Sequence, residues 1–239
     1  IEPYTFAGCT GLTGFWMNGG NKIDDYAFKN CGENLVNVGI GSSVSELGKR
    51  PFAGCTGLAN VVFTDNPNFT CEEAIIYGTT DGVKDTIVEC LEGRGLLQEV
   101  SNTQVGPDEL AGITTIMPEA FKNCDEIVTV DLSSSSVTSV PEQCFAQTDR
   151  LSTVILPNGT VKSIDKGAFW NSSIANVRIP DKATLIELQA FAYVKEADNE
   201  IFLDQDGNPT IKDVSSGHPN ITINCPDDSF ANTYADKYY

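Results

Sequence analysis

Residues 151–172 read LSTVILPNGTVKSIDKGAFWNS and residues 174–194 read IANVRIPDKATLIELQAFAYV, so one message is written twice in succession. Each copy opens on three apolar residues in the spacing L-x-x-V-x-L: Leu151, Val154 and Leu156, then Ile174, Val177 and Ile179. The two-residue alternation at the end of that run is the period of a strand with one buried face. An aliphatic follows, Ile164 or Ile186, and five residues later a phenylalanine, Phe169 or Phe191. A unit this short cannot bury its own apolar face, so it must stack on a copy of itself.

The same marks run outward from this stretch. Phenylalanines stand in similar surroundings at Phe6, Phe28, Phe52, Phe121 and Phe145, giving intervals of 22, 24, 69, 24, 24 and 22 along the whole series. The preceding aliphatic recurs as Ile23, Leu47, Ile116 and Val140. The strand run recurs as Leu35-Val38-Ile40, Leu58-Val61-Phe63 and Ile127-Val130-Leu132. The period is about 23 residues, and because 69 is three times 23 the register is expected to persist through the irregular middle. The fold class is therefore a repeat solenoid, mainly β.

The combined pattern L-x-x-V-x-I-P-x-x-x-V-x-x-I-x-x-x-A-F-x-x-C resembles the BspA-like, or Treponema-type, leucine-rich repeat family of bacterial surface proteins. Residues 1–63 and 113–194 carry the resemblance. It implies a leucine-rich repeat solenoid spanning 1–239, with N-terminal coils over 1–63, irregular coils with a β-hairpin insertion over 64–112, regular coils over 113–194, and a closing segment over 195–239. The hairpin is placed in NPNFTCEEAIIYGTTDGVKDTIVECL, where Asp81-Gly82 between Ile75-Ile76 and Ile87-Val88 is a hairpin signal in its own right. The closing ITINCPDDSFANTYADKYY matches the family's last strand, proline and short capping helix, with Asp228 or Ser229 as N-cap. Ile1–Cys9 opens inside a repeat with no preceding strand, signal segment or Met, so an earlier piece is expected to have been removed. The family further implies an extracellular or cell-surface location and roles in adhesion.

Composition narrows the function. The chain has 33 acidic and 15 basic residues, a net charge of −18, and would repel a nucleic acid. No apolar run approaches the roughly 18 residues of a membrane span, so no membrane insertion is expected. The single His218 leaves little for a nucleophile and base to be built around, and neither an enzyme nor a cofactor is expected. Asp204-x-Asp206-Gly207-Asn208 looks like part of a calcium loop but lacks its downstream glutamate, and turn chemistry accounts for the same residues.

Eight cysteines invite a disulfide framework, but the register argues for thiols. Cys9, Cys31, Cys55 and Cys124 each follow a Phe by three residues, where other repeats have Thr148, Ser172 and Val194. That position asks for a small side chain that can donate weakly to a carbonyl. Cys144, just before a Phe, reads the same way. Cys71 and Cys90 fall nearly opposite one another in the expected hairpin, so a cross-strand contact between them is left open. With no C-x-x-C and one His, a zinc site is not expected.

The residue between the last two apolar positions of each strand should point to solvent. This outward column is Trp16, Gly39, Val62, Asp131, Ile155 and Arg178, flanked by Gly14, Asn37, Asn60, Thr129, Thr153 and Asn176. Trp, Val, Ile and Arg are contact-type residues, although exposed strands favour β-branched and aromatic residues in any case. The reading is a monomeric, non-enzymatic interaction module binding an extracellular or host protein, or a glycan, through Trp16, Val62, Asp131, Ile155 and Arg178. The alternative is a passive spacer within a larger surface protein.

The register has a direct test in urea or thermal unfolding. Phe169→Ala should cost about 3–5 kcal/mol as a large core deletion, and Arg178→Ala should leave the melting temperature nearly unchanged. Equal losses at the two positions would contradict the assignment of inward and outward faces.

Overall fold

In a computed structural model the chain is a mainly β solenoid of about 7 turns. The structure describes residues 1–97, 103–180, 182–187 and 189–191, and beyond them the strand backbones at 202–203, 209–210 and 222–224. Asp204, Asp206, His218 and the expected capping helix lie outside the described residues.

A coil consists of a strand, a second short strand and a phenylalanine turn. The first strands are β1 (Gly14–Met17), β3 (Asn37–Ile40) and β5 (Val61–Phe63), which pair in parallel. The second strands begin with β2 (Lys22–Ile23) on β4 (Glu46–Leu47). An antiparallel meander then follows: β6 (Phe69–Glu72), β7 (Ile75–Thr80) and β8 (Val83–Cys90). A short 3₁₀ turn covers Glu92–Leu96. Beyond it β9 (Gln104–Val105), β11 (Thr129–Asp131), β13 (Thr153–Ile155) and β15 (Asn176–Arg178) form a second parallel sheet, closed by β19 (Thr222–Asn224). Their companions are β10 (Thr115–Ile116), β12 (Ser139–Val140), β14 (Ser163–Ile164) and β16 (Leu185–Ile186). A small antiparallel pair, β17 (Phe202–Leu203) with β18 (Pro209–Thr210), lies between β16 and β19 in sequence.

The turn around each Phe explains the sequence around it. Residues two before and two after the anchor have positive φ: Tyr26 and Asn30 around Phe28, Glu119 and Asn123 around Phe121, Gly167 and Asn171 around Phe169. Gly and Asn visit that region at least cost, which is why G-C, N-C or N-S follows most anchors. The conformation turns the backbone of the anchor toward the next coil. Phe6 N–H donates to Ala27 O, Phe28 to Pro51, Phe121 to Cys144, Phe145 to Ala168 and Phe169 to Ala190, at 2.7–2.9 Å. A second rung runs from Asn30 N–H to Ala53 O and from Gln147 N–H to Trp170 O. Under these rungs the rings stack face to face with centroids 5.0–5.4 Å apart, and all except Phe6 are fully enclosed.

The middle of the chain departs from the sequence expectation. The 69-residue interval holds two coil steps, not three, because Cys90 stands in an anchor's place. Its N–H donates to Ala120 O at 2.7 Å, as an anchor's would, and its carbonyl accepts the Cys124 thiol. The inserted meander supplies the missing length, with Ile87 of β8 lying beside Ile116 of β10. Where the Phe52 coil meets this substitute, carboxylates replace carbonyls. Phe52 N–H donates to Glu89 Oε2 at 3.1 Å, and Gly54 N–H to Glu92 Oε1 at 3.0 Å. Arg50 neutralises both acids, pairing with Glu92 and lying 3.6 Å from Glu89. Farther along the seam, Glu119 accepts from Tyr26 Oη at 2.9 Å and from Lys49 Nζ at 3.0 Å, joining turns 93 residues apart.

The described cysteines are all free thiols. Cys31, Cys55 and Cys124 donate to the anchor carbonyl of the preceding coil at 3.1–3.3 Å, whereas Thr148 and Ser172 donate to the anchor of their own coil. Burial raises the thiol pKa at Cys55 and Cys144. Cys9, by contrast, is exposed, and Cys71 is half-buried. Cys71 does not face Cys90: β6 makes Cys71 the partner of Ile76, and β7 stands between the two sulfurs.

The seam makes stability pH-dependent. Burial pushes the Glu89 carboxyl from its ordinary 4.5 up to about 7, although Arg50 and the Phe52 N–H oppose the rise. The folded chain thus binds this proton more tightly than the unfolded one, so its contribution is full below pH 4.5 and is lost as pH rises through about 7. Glu89→Gln keeps an acceptor for Phe52 N–H and cannot ionise. Between pH 4.5 and 8 the unfolding free energy of Glu89→Gln relative to the parent should move in the variant's favour, by on the order of 3 kcal/mol. A difference that stays flat with pH would show that Glu89 does not titrate in this range.

Candidate functional site on the strand faces

The outward column falls on two separate sheets. On the first, the pairing sets Trp16 beside Gly39 and Gly39 beside Val62. Trp16 is 65% exposed and Val62 55%. On the second, Asp131 is beside Ile155, and the pairing of Val154 with Val177 brings Arg178 next. Ile155 and Arg178 are exposed, as alternation requires. Asp131 is half-buried, and its carboxylate accepts the Ser133 N–H at 2.9 Å, so it serves the turn after β11. The sequence expectation of one continuous face is thus divided: Trp16 and Val62 are brought together, Asp131, Ile155 and Arg178 are brought together, and the meander and 3₁₀ turn lie between the two groups in the chain.

The first group has a feature the column pattern does not reveal. Trp16 lies flat on two glycines. A Cβ added at Gly39 would stand 2.6 Å from Trp16 Cδ1 and 2.9 Å from its Nε1, and one added at Gly14 would stand 2.6 Å from its Cζ3. The five-membered ring therefore covers Gly39 and the six-membered ring covers Gly14. Gly39 is buried although its side of the strand faces outward. The signal was present in the sequence as two glycines at outward positions beside one tryptophan, but only the register shows that they are neighbours.

Other polar clusters are structural. Arg94 is enclosed, with its guanidinium donating to the carbonyls of Glu73 and Gln104 and lying 3.4 Å from Glu109. It fixes the meander to the loop before β10. Burial is also the main reason the Glu109 carboxyl is raised. Sequence reasoning missed Arg50, Glu89, Arg94 and Glu119 because charged residues are almost never enclosed unless paired, and the pairing depends on the register at Cys90. Among the described residues no group of three or more His, Cys, Asp or Glu is placed to hold a metal ion. No helix among them is long and apolar enough to cross a membrane.

The model of the BspA type leucine-rich repeat region matches residues 1–82 and 107–201, in six copies. The chain belongs to this family of leucine-rich repeat proteins. No curated protein matches it. Among solved structures it is similar to a leucine-rich cell surface protein from Faecalibacterium prausnitzii, with TM-score 0.58 and 16% identity over 98% of this chain and 64% of the other. It is similar also to the pneumococcal vaccine antigen PcpA, with TM-score 0.58 and 17% identity over 70% of this chain and 38% of the antigen. The chain thus spans less than two thirds of either relative. At such identity the likeness is one of fold, and it agrees with the solenoid described above.

Proposed function

We propose that this chain is a non-enzymatic interaction module of a bacterial surface protein, acting as a monomer and binding an extracellular partner protein through its strand faces. The observation that carries the reading is the alignment of exposed contact-type side chains along the strands: Trp16 and Val62 on one sheet, Ile155 and Arg178 on the other. A spacer would need only to keep its strands soluble, and polar residues at these positions would do that at lower risk of association. The enclosed backbone rungs and ring stack make the surface rigid, so little side-chain or loop ordering opposes association. The most strongly displaced carboxyl, Glu89, is only 1% exposed and sits between coils, where a substrate would not reach it. Family membership and the surface proteins that share the fold support an exported location.

The test is a binding screen of the purified chain against extracellular-matrix proteins at physiological salt, where net charge alone generates few contacts. Saturable binding weakened at least tenfold by Ile155→Ser with Arg178→Ala, at unchanged melting temperature, is the expected result. Binding indifferent to every substitution on both strand faces would remove those faces from the interaction and favour the spacer.

A further inference from the structure

Resting on the reading of the strand faces as binding surfaces, we infer that the Trp16 platform on the first sheet is a subsite for an uncharged sugar ring, with the indole face stacking on the ring and neighbouring amides taking its hydroxyls. Three observations point to this chemistry. First, the indole is laid flat and held so. The glycine floor at Gly14 and Gly39 lets it approach the backbone more closely than any other residue would permit, leaving its opposite face toward solvent. A flat, exposed, prearranged π face suits the weakly polar C–H face of a pyranose, in which axial hydrogens are presented to the ring.

Second, the sheet is uncharged. Gly14–Met17, Asn37–Ile40 and Val61–Phe63 contain no acidic or basic residue, in a chain whose net charge is −18. The second sheet, by contrast, carries Asp131 and Arg178. A ligand selected by the first sheet gains nothing from charge. What the sheet offers around the indole is amide: Asn37 and Asn60 are both exposed in the flanking column. Amides present donors and acceptors together, matching hydroxyl groups that do the same.

Third, the patch is small. Three strands of three or four residues cover roughly 10 by 13 Å at ordinary strand spacing and rise. That area is the footprint of one or two sugar rings. Val62, at the far side of Gly39 from Trp16, bounds the platform with a second apolar surface.

The probes are neutral hexasaccharides of glucose, mannose and galactose in several linkages, with sialylated and sulfated oligosaccharides as charged controls, titrated calorimetrically into the intact chain. Two variants separate the platform from its residues. Trp16→Ala removes the ring. Gly39→Ala keeps it but lifts it off its floor, and because the displaced group is an exposed side chain, the fold should be unaffected. Saturable binding of at least one neutral oligosaccharide, insensitive to added salt and reduced at least tenfold by both variants, is the expected result. No binding of any neutral probe at millimolar concentration would overturn the proposal, as would full binding by Gly39→Ala or binding confined to the charged controls. If a protein ligand from the matrix screen depends on Trp16 while every neutral sugar fails, the sugar subsite is wrong and the interaction module stands. If neither sugar nor protein binds, both fall.

Discussion

Everything in this protein depends on the main-chain hydrogen bond by which the anchor residue of one coil donates to the carbonyl just before the anchor of the next. A parallel stack of coils has no local pairing to begin from, and each coil leaves polar backbone groups pointing at its neighbours. Buried groups of that kind must be satisfied, or each costs on the order of 1–3 kcal/mol. The Phe turn meets the demand by holding two residues at positive φ, which points the anchor N–H along the solenoid axis. Once that geometry is set, the rings must overlie one another, and the strands before them fall into parallel register.

At the seam of Arg50, Glu89 and Glu92 side chains meet the demand of the backbone, while Arg50 Nε and Glu89 Oε1 are themselves buried without a hydrogen-bond partner. The inserted meander displaces the backbone that would have offered carbonyls to Phe52 and Gly54, and two carboxylates take over as acceptors. Acceptors that carry charge then require a cation, and Arg50 supplies it from the position two before the anchor. Glu119, at the equivalent position of the next Phe coil, is likewise enclosed. Burial alone would raise its pKa, but Lys122, Lys49 and Tyr26 outweigh that and hold the carboxyl below its ordinary range. The contacts of Arg50 follow from replacing one turn of the ladder.

The regular coils were legible in the sequence because their burial follows a fixed period: Leu151, Val154 and Leu156 are inside, and Ile155 between them is outside. Trp16, Val62 and Arg178 were placed outward by the same alternation. Asp131 was placed by it too, but alternation says nothing of the hydrogen bond that ties its carboxylate to Ser133. The middle was not legible. An interval of 69 residues fits three coils by length, and the chain uses it for two coils and a three-stranded insertion. Cys90 in an anchor's place carries no aromatic signal, and Glu89 is hidden for want of it. The Trp16 platform was half legible, since its residues are visible in the columns while their contact is a matter of register between strands.

Amide hydrogen exchange, resolved by residue, tests the ladder most directly. The account predicts that Phe52 and Gly54, whose acceptors are carboxylates, are protected to an extent comparable with Phe28, Phe121, Phe145 and Phe169, and that Cys90 is protected with them. Free exchange at Phe52, Gly54 and Cys90, alongside slow exchange at the other anchors, would contradict it, because the stack would then be broken where the seam is drawn.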